Sequence, residues 1–313
     1  MIDEINKAAE LLNQGEVVAI PTETVYGLAA NAFDENAVKK VFEIKKRPLF
    51  NPLIVHIKSI DYLEKIAKDI PPIALELAKH FWPGSLTLVL PKKDIIPDIV
   101  TANKKTVAVR VPSHPITLQL LNRLHYPLAA PSANPFGYIS PTKAFHVEKQ
   151  LGNKISFILD GGSCEKGIES TIIGFENHKP ILYRVGAITK EEIENYIGKI
   201  EIKNNAAVAP EAPGMLNKHY SPKTRFIVTD NIKLEIKKYK NNNVGFLTHS
   251  DTDLKKNVIQ ITNNGDLDEA AKNLYDAMHQ LDSLQYDLII AEKFIEYGIG
   301  ISLNDRLYRA QVT

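Results

Sequence analysis

The 313-residue sequence lacks the features that mark secreted and membrane proteins. Its single cysteine, Cys164, cannot form a disulfide within the chain or build a thiolate zinc site. No apolar run reaches the ~18 residues that a membrane-spanning helix needs. The N-terminal segment carries acidic residues early and is unlike a secretory signal. We therefore expect a cytoplasmic protein that does not enter a membrane.

An excess of charge of one sign is also missing, because 38 basic residues face 37 acidic ones and leave a formal net charge of +1. Proteins that bind nucleic acid through its phosphates need a strongly basic surface. The balance therefore argues against a protein whose main task is to bind nucleic acid. Arginine is scarce, at 7 of the 38 basic residues, so each one raises the question of which anion its planar fork binds.

The standard catalytic motifs are absent. The sequence contains no phosphate-binding P-loop, dinucleotide-binding glycine motif, zinc-protease motif or serine-hydrolase nucleophile motif. The nine histidines are scattered without metal-ligand spacing, so no metal site made of protein side chains is expected. With 44% hydrophobic and 24% charged residues, the composition is that of a globular chain.

The length predicts two domains, at ~150 residues per domain, and one segment offers a boundary. Residues 204–223 are rich in proline and show neither helical nor strand periodicity, which is typical of linkers and of long functional loops. We predict a larger domain at 1–203, a linker or lid at 204–223 and a smaller domain at 224–313.

Hydrophobic periodicity differs between the two predicted domains. In the first, strands are predicted at 17–20, 53–57, 86–90, 107–111, 156–159, 170–174 and 181–184, and helices at 3–14, 34–46, 71–81, 113–124, 142–151 and 189–197. Asp34 is predicted to cap the helix at 34–46. Their irregular order favours an α+β domain around a large mixed sheet. In the second, strands at 225–229, 244–247, 257–261 and 287–292 alternate with helices at 231–240, 266–281 and 302–311. This alternation predicts a small parallel α/β sheet.

Polar clusters follow several of these strands. Thr22, Glu23 and Thr24 come directly after the first predicted strand, and Arg110 lies near the end of strand 107–111. Functional groups gather at the carboxyl ends of buried strands, although threonine and proline also make plain capped turns. An arginine within an apolar strand must face water, an anion or a carboxylate, because burying it unpaired is very costly.

Three cations close the helix that is predicted to end at residue 46. Lys45, Lys46 and Arg47 stabilise a helix C-terminus by ~0.3–1 kcal/mol, which is the simpler interpretation. The alternative is that Arg47 and Asn51, held by nearby prolines, bind a polyanion. His56 lies in the next strand, where a half-buried histidine with satisfied partners is the commoner case.

The segment 129–142 is rich in small residues and includes Ser140, which we predict to cap the helix at 142–151. Small residues let a ligand approach backbone amides, and a helix N-terminus attracts phosphate. A capping loop without a ligand explains the pattern equally well. Further along, Cys164 has no neighbouring histidine or asparagine to activate it, so it is not expected to be a nucleophile.

Three of the four arginines in the first domain lie at strand ends or in loops beside Ser, Thr and Asn clusters. These are Arg47, Arg110 and Arg184, whereas Arg123 lies in a helix and has the setting of a surface residue. An arginine fork binds carboxylates and phosphates bidentately. The residues alone therefore predict a pocket for a ligand with several negative groups, such as a nucleotide beside a carboxylate. They do not reveal the reaction.

Long ordered segments of the chain resemble the threonylcarbamoyl-AMP synthases of the YrdC-like family in their longer, two-domain form. The segments are PTETVYGLAANA (21–32), KKRPLFNPLIVHI (45–57), FWPGSLTLVL (81–90), VAVRVPSHP (107–115), APSANPFGYISPT (130–142), DGGSCEKGIESTII (160–173), LYRVGAIT (182–189), APGMLNKHYSP (212–222) and GIGISLNDRLYRA (298–310). The match spans nearly the whole chain. One departure is Phe136, where many members carry serine.

The resemblance implies that the chain makes L-threonylcarbamoyladenylate from L-threonine, bicarbonate and ATP with release of pyrophosphate, for threonylcarbamoyladenosine modification of tRNA. It implies a twisted, open N-terminal α/β sheet with a concave pocket, and a smaller Rossmann-like α/β domain. Mg²⁺ would accompany ATP, and a separate transferase complex, contacted transiently, would pass the group to RNA. Stable binding of nucleic acid is not expected. The alternative is a double-stranded RNA-binding or tRNA-binding protein of the same fold.

The resemblance also assigns site residues. The threonine site would be lined by Thr24, His56, Arg110, Ala130 and Ser170. ATP would be contacted by Lys45, Arg47, Asn51, Thr106, Ser132, Asn134, Ser140, Arg184, Tyr220 and Ser221, of which the last two would belong to a lid. No residue would act as a covalent nucleophile, and Arg47, Arg110 and Arg184 would act by positioning and charge neutralisation.

Overall fold

The computed structural model describes residues 1–203, 219–239, 242–251 and 256–311, which form two sheets and their helices. The larger sheet is built from residues before 203 and the smaller one from residues after 225. None of the described helices combines the length and the apolar character that crossing a membrane requires. The predicted boundaries near 203 and 224 stay predictions, because residues 204–218 lie outside the described ranges.

The larger sheet has ten strands in the described residues. They are β1 (Val18–Ile20), β2 (Gly27–Asn31), β3 (Ile54–His56), β4 (Leu86–Pro91), β5 (Thr106–Arg110), β6 (Leu128–Ala129), β7 (Phe157–Ile158), β8 (Thr171–Glu176), β9 (Lys179–Arg184) and β10 (Glu201–Ile202). The helices around it are α1 (Ile2–Asn13), α2 (Glu35–Lys45), α3 (Leu63–Ile66), α4 (Pro72–Phe81), α5 (Asp98–Thr101), α6 (Pro115–Arg123), α7 (Ala144–Leu151) and α8 (Lys190–Ile197).

The strand order is β10-β9-β8-β4-β5-β3-β6-β2-β1-β7, and parallel and antiparallel pairs are mixed. β3 runs parallel to β5 and β4 runs parallel to β8, whereas β4–β5 and β8–β9 are antiparallel. The mixed sheet predicted from the sequence is therefore confirmed. Because β3 and β5 are parallel and in register, His56 and Arg110 lie opposite each other at the ends of their strands.

The sequence prediction missed two strands in the middle of this sheet, β2 and β6. The β2 sequence, GLAAN, consists mostly of glycine and alanine, which are depleted in strands. It nevertheless lies between β1 and β6, and four of its five residues are buried. Small side chains suit this position because a helix packs closely over the strand, as the contacts between α2 and β2 show.

Helix caps explain where two of the helices begin. Asp34 caps α2 as predicted, since its carboxylate accepts hydrogen bonds from the backbone N–H groups of Asn36 and Ala37. The prediction that Ser140 caps the next helix of its loop was wrong. Helix α7 begins at Ala144, with Lys143 at the N-cap position, and the Ser140 hydroxyl instead donates to a carboxylate of Glu169.

The smaller sheet consists of β11 (Phe226–Thr229), β12 (Val244–Thr248), β13 (Val258–Gln260) and β14 (Leu288–Glu292), with α9 (Ile232–Lys238), α10 (Leu267–Ser283) and α11 (Ile299–Gln311) packed around it. The strand order is β11-β14-β12-β13, and every pair is parallel. The predicted small parallel α/β domain is confirmed. Helix α10 directs a buried stripe, including Leu274, Met278 and Leu281, toward this core.

The two parts of the chain share a hydrophobic core. Val25, Ile139 and Ile168 come from loops of the larger domain, yet they belong to the same buried cluster as α10 and α11. Close approach requires glycine at Gly167, which has a φ of +73° and lies so near α10 that a Cβ would overlap the Ala271 carbonyl. The C-terminal domain is therefore packed tightly against the loops that follow the strands of the larger sheet.

Candidate active site

A cavity lies where the ends of the central strands of the larger sheet meet the C-terminal domain. Its walls are Thr22, Thr24, Val25, Gly27, Arg47, Ile54, His56, Arg110, Ala130, Pro131, Ser132, Glu169, Ser170, Arg184, His219 and Tyr220. Three of the seven arginines of the chain line it. Nine of the predicted site residues also do so, and these are Thr24, Arg47, His56, Arg110, Ala130, Ser132, Ser170, Arg184 and Tyr220.

Arg110 is buried at the end of β5 and is held by two side chains of the turn after β1. Its Nη1 donates to Thr24 Oγ1 at 3.1 Å, and its Nη2 lies 3.5 Å from Glu23 Oε2. The Glu23 carboxylate also accepts from Ser85 Oγ at 3.1 Å and from the Ser113 backbone N–H at 3.0 Å. The guanidinium is thus oriented on one side by fixed partners, while its Nε is buried without a partner among the described residues.

The threonine pair in this turn has a fixed hydrogen-bond direction. Thr22 Oγ1 donates to the Val25 carbonyl at 2.6 Å, so its only proton is used there. The 2.8 Å contact between the two hydroxyls therefore has Thr24 as donor and Thr22 as acceptor. Thr24 accepts from Arg110 in turn. The Thr24 hydroxyl is consequently held in one orientation at the cavity wall.

His56 is neutral in this environment. Burial, together with the cation of Arg110, lowers the pKa of His56 to about 3. Its Nδ1 is buried without a partner among the described residues. A neutral imidazole beside a buried arginine can accept or donate a hydrogen bond to a ligand without adding charge to this part of the cavity.

Arg47 and Arg184 form a second cationic region of the same cavity. Arg47 donates from Nε to the Asn51 carbonyl at 3.1 Å and from Nη2 to the Pro52 carbonyl at 2.8 Å. Arg184 donates to the carbonyl of Ser170 at 2.9–3.0 Å and to its hydroxyl at 3.1 Å. Burial and the neighbouring Arg184 cation lower the pKa of Arg47 to about 9. Two buried cations that repel each other make a site that an anionic ligand stabilises.

Glu169 is the one carboxylate in the cavity wall of the described residues. It accepts from Ser140 Oγ at 2.7 Å, from Tyr275 OH at 3.0 and 3.2 Å, and from Arg306 Nε at 2.9 Å. Burial acts to raise the pKa of Glu169, but the cations of Arg306 and Arg184 and the Ser140 hydroxyl hold it below its usual value. Glu169 is therefore ionised at neutral pH and joins both domains at the cavity.

Four predicted site residues stand behind the cavity wall. The Lys45 ammonium is buried and donates to the carbonyls of Ser132, at 2.5 Å, and Asn134. The Asn134 amide donates to the carbonyls of Pro135 and Tyr138. Asn51 is fully buried, and its amide has no partner among the described residues. Ser140 is bound to Glu169. These side chains shape the loops whose other face lines the cavity.

Two predicted site residues lie elsewhere. Thr106 is at the start of β5, four residues before Arg110, and does not line the cavity. Alternation along the strand puts it on the same face of the sheet as Arg110. Ser221 lies beside the cavity, where its backbone N–H donates to the Gly137 carbonyl at 2.8 Å and its hydroxyl to the Arg309 carbonyl at 3.4 Å.

The described part of the predicted lid reaches the cavity through His219 and Tyr220. Both side chains are buried, and the Tyr220 ring lies 5.3 Å from the Arg306 guanidinium. Burial, with the cations of Arg47 and Lys45, holds the pKa of His219 well below its usual value, so this ring is neutral. Residues 204–218, which make up most of the predicted lid, lie outside the described ranges.

Glu169 and His219 line the cavity, and neither was predicted as a site residue from the sequence. Glu23, which supports Arg110, was noted only as part of the polar cluster after the first predicted strand. Glu23 and Glu169 stand beside the predicted residues Thr24 and Ser170, inside segments that carry the resemblance. The signal available in the sequence was that each carboxylate is next to a predicted site residue. Glu23 also follows the end of a buried strand, which is a second signal. His219 lies in the linker segment, directly before Tyr220.

Cys164 is buried and does not line the cavity. Burial raises the pKa of its thiol to about 12. The thiol is therefore protonated at neutral pH, and a protonated buried thiol is a poor nucleophile. The position agrees with the sequence analysis, which expected no nucleophilic role for this residue.

Two family models together match most of the chain. One, described as "Telomere recombination", matches residues 10–186. The other, described as "Threonylcarbamoyl-AMP synthase, C-terminal domain", matches residues 188–311.

Curated proteins and solved structures resemble the chain over almost its full length. Threonylcarbamoyl-AMP synthase of Pyrococcus abyssi is 43% identical over 322 residues, covering 98% of this chain and 94% of its own. That of Bacillus subtilis is 43% identical over 323 residues, covering 98% and 92%. The crystal structure of P. abyssi Sua5 complexed with L-threonine superposes with a TM-score of 0.92 at 43% identity, covering 98% of this chain and 94% of that one.

Proposed function

The chain belongs to the threonylcarbamoyl-AMP synthases in their two-domain form, and from this premise we infer that it makes L-threonylcarbamoyladenylate from L-threonine, bicarbonate and ATP. Pyrophosphate and water are the other products, and the reaction is a nucleotidyl transfer. The product serves the threonylcarbamoyladenosine modification of tRNA. The observation that carries this inference is a single cavity with two separate buried arginine regions, one at Arg110 and one at Arg47 and Arg184.

The region around Arg110 suits the carboxylate of threonine. Glu23 and Thr24 hold one side of the guanidinium, and its remaining donor is turned to no described partner. An arginine fork binds a carboxylate with two parallel hydrogen bonds. We assign Thr24, His56, Arg110, Ala130 and Ser170 to the threonine site, in support of the sequence prediction.

The region around Arg47 and Arg184 suits the phosphates of ATP. Its two cations line the same cavity as Pro131 and Ser132 of the small-residue loop. Ser140 and Asn134 fix this loop, Lys45 holds it from behind, and Asn51 belongs to the segment that orients Arg47. Thr106, Tyr220 and Ser221 complete the ATP contacts proposed from the sequence, and the last two belong to the lid.

The reaction can proceed when threonine and ATP are bound side by side in these two regions. The neutral amine of threonine adds to bicarbonate, forming a C–N bond and losing water to give a carbamate. A carbamate oxygen then attacks the α-phosphorus of ATP, and the bond to pyrophosphate breaks. Arg47 and Arg184 neutralise the charge that develops on the phosphates, and no covalent bond to the enzyme is needed. His219 and Tyr220 cover the cavity and exclude water from a product that hydrolyses readily.

Mg²⁺ as a companion of ATP is part of this proposal. No three His, Cys, Asp or Glu side chains in the described ranges come together in a way that could hold a metal ion. The ligands of the ion would therefore be phosphate oxygens and water, which Mg²⁺ prefers. No step is assigned to the ion itself.

The location and the partners beyond the small substrates also belong to the proposal. We propose a cytoplasmic enzyme that hands its product to a separate transferase complex by transient contact. Stable binding of nucleic acid is not proposed, because a net charge of +1 argues against the strongly basic surface that such binding needs.

Pyrophosphate release is the direct test of the function. We expect release from ATP only when L-threonine and bicarbonate are present together, and slower release when serine replaces threonine. Release that ignores bicarbonate would contradict the proposal in favour of another adenylyl transfer on the same fold. Steeply salt-dependent RNA binding without ATP turnover would favour the RNA-binding alternative.

A further inference from the structure

Arg306, on the last helix of the C-terminal domain, places a buried positive charge behind the wall of the cavity. It lies on α11 and is fully buried. Its Nε donates to Glu169 Oε2 at 2.9 Å and its Nη1 to Asp305 Oδ2 at 2.8 Å. Burying a guanidinium is costly unless it has charged partners, so this arrangement calls for a reason beyond packing.

The Glu169 carboxylate, which Arg306 binds, is hydrogen-bonded to residues of both domains. Glu169 lies two residues before β8 in the larger domain and lines the cavity. Ser140 donates to it from the loop that flanks the cavity, and Tyr275 donates to it from α10. Two segments of each domain therefore converge on one carboxylate.

The charge of Glu169 matters because Arg184 lies in the same cavity. Both residues line it, and the Arg184 cation is, after Arg306, the next charge that lowers the pKa of Glu169. If Arg306 were missing, Glu169 would be a buried carboxylate whose main remaining cation is Arg184. An uncompensated buried charge is strongly unfavourable. The Glu169 carboxylate would therefore attract the Arg184 guanidinium and repel the phosphates of ATP.

We propose that Arg306 is a positioning residue through which the C-terminal domain sets the ATP site. By neutralising Glu169, it removes a negative charge that would repel the phosphates, and it keeps Ser140 and its loop in place. The guanidinium also lies against the Tyr220 ring, so the same residue supports a second side chain of the cavity wall. The proposal rests on the function proposed above, since it assigns the phosphates to Arg47 and Arg184.

Coupling between two sites is reciprocal. If Arg306 favours ATP binding, ATP binding must stabilise the contact of α11 with the larger domain by the same free energy. We expect ATP to slow amide hydrogen exchange in α11 of the full chain, and this protection to be lost when Arg306 is replaced.

The primary test measures ATP and threonine affinities of Arg306→Met, Arg306→Lys and the double variant Arg306→Met/Glu169→Gln. We expect Arg306→Met to weaken ATP binding between about 5-fold and 150-fold, the usual range of such couplings. Threonine binding without ATP changes far less. Arg306→Lys restores part of the loss, because it keeps a cation. The double variant also recovers most ATP affinity, because glutamine is neutral and its carbonyl still accepts from Ser140.

A pH profile separates charge compensation from packing. Without Arg306, burial raises the pKa of Glu169, so lowering the pH protonates it and removes the charge. The ATP deficit of Arg306→Met therefore shrinks as the pH falls from about 8.5 to about 6, beyond any change in the wild type. A purely structural loss would be insensitive to pH.

Arg225→Met is the matched control, because Arg225 is an exposed arginine of the same domain. We expect it to leave ATP affinity unchanged. A folded Arg306→Met with wild-type ATP affinity, or a double variant as impaired as the single one, overturns the proposal.

If Arg306→Met does not fold, the ATP affinity of Glu169→Gln tests the proposal instead. Removing a negative charge from the cavity should keep or tighten ATP binding, whereas a large loss would mean that Glu169 binds the nucleotide itself, contrary to the proposal. Failure of the proposed function is distinguishable, because it would appear in the wild type as pyrophosphate release that is independent of threonine and bicarbonate.

Discussion

Two buried carboxylates each bind an arginine in or behind the cavity wall. Glu23 orients Arg110 beside Thr24, and Glu169 joins Arg306 to the loop of Ser140. The sequence predicted the positions of the cavity arginines, because each stands at a strand end or in an adjoining loop. It placed Glu23 only in a polar cluster at a strand end and gave Glu169 no role, because the partners of these carboxylates lie far away along the chain.

Arg110→Lys should weaken threonine binding about 10-fold to 100-fold, because hydrogen bonds between charged groups contribute about 1.5–3 kcal/mol. Lysine keeps the charge but cannot form two parallel hydrogen bonds to a carboxylate. Isothermal calorimetry with threonine measures the effect, and ATP binding should change little. The control is Arg123→Lys, on the exposed side of α6. An Arg110→Ala protein that binds threonine normally would refute the assignment of the carboxylate.

At the scale of elements, the small-residue segment 129–142 begins in β6, and long-range backbone and side-chain hydrogen bonds fix the rest of it. The predicted helix cap at Ser140 failed because the serine hydroxyl found a buried carboxylate instead, which a local pattern cannot show. In contrast, the Asp34 cap was predicted correctly because its partners lie two and three residues away. The loop is also held from behind by Lys45 at the end of α2.

Lys45→Met should lower ATP affinity roughly tenfold, because the carbonyls of Ser132 and Asn134 lose their common donor and the loop loosens. Burial, aided by the cation of Arg47, holds the pKa of Lys45 well below its usual value. The ammonium is therefore costly to bury, and we expect methionine to leave the free energy of unfolding near the wild-type value. Calorimetry and urea unfolding measure the two quantities.

Asp34→Ala, at the other end of α2, should show the opposite pattern and so serves as the control for Lys45→Met. Loss of the cap lowers the free energy of unfolding by about 1 kcal/mol, and ATP affinity stays unchanged. Equal loss of ATP affinity in both variants would show that general weakening of α2, and not the anchor to the loop, is responsible.

At the scale of the whole molecule, the C-terminal domain packs against the loops that surround the cavity. Val25, Ile139 and Ile168 of the larger domain are buried in the core that α10 and α11 provide. The division into a mixed sheet and a small parallel sheet was predictable from periodicity. The packing of the second domain onto the cavity was not, because periodicity shows which face of an element is buried but not against which partner.

Gly167→Ala should weaken the packing between the two domains, because the added Cβ would overlap the backbone of Ala271 and Lys272 in α10. We expect a loss of at least about 2 kcal/mol in the free energy of unfolding, from overpacking added to the strain of a positive φ. Urea unfolding measures it. Gly162→Ala is the control, since Gly162 has a φ of +80° but nothing within 4 Å of its Cβ position. It should cost only about 1 kcal/mol. Equal losses would mean that the contact with α10 is not tight.

The sequence by itself determined the two α/β domains, most strand positions, and the arginines that line the cavity. These features are local, because periodicity, caps and strand ends are written in neighbouring residues. The tertiary structure decided the pairing of charges, since Glu169 and Arg306 are 137 positions apart. It also decided that the small-residue segment Gly27–Asn31 is a strand, because pairing with β1 and β6 outweighs its weak local preference. Long-range contacts, which only the folded chain forms, thus set the charge balance of the site.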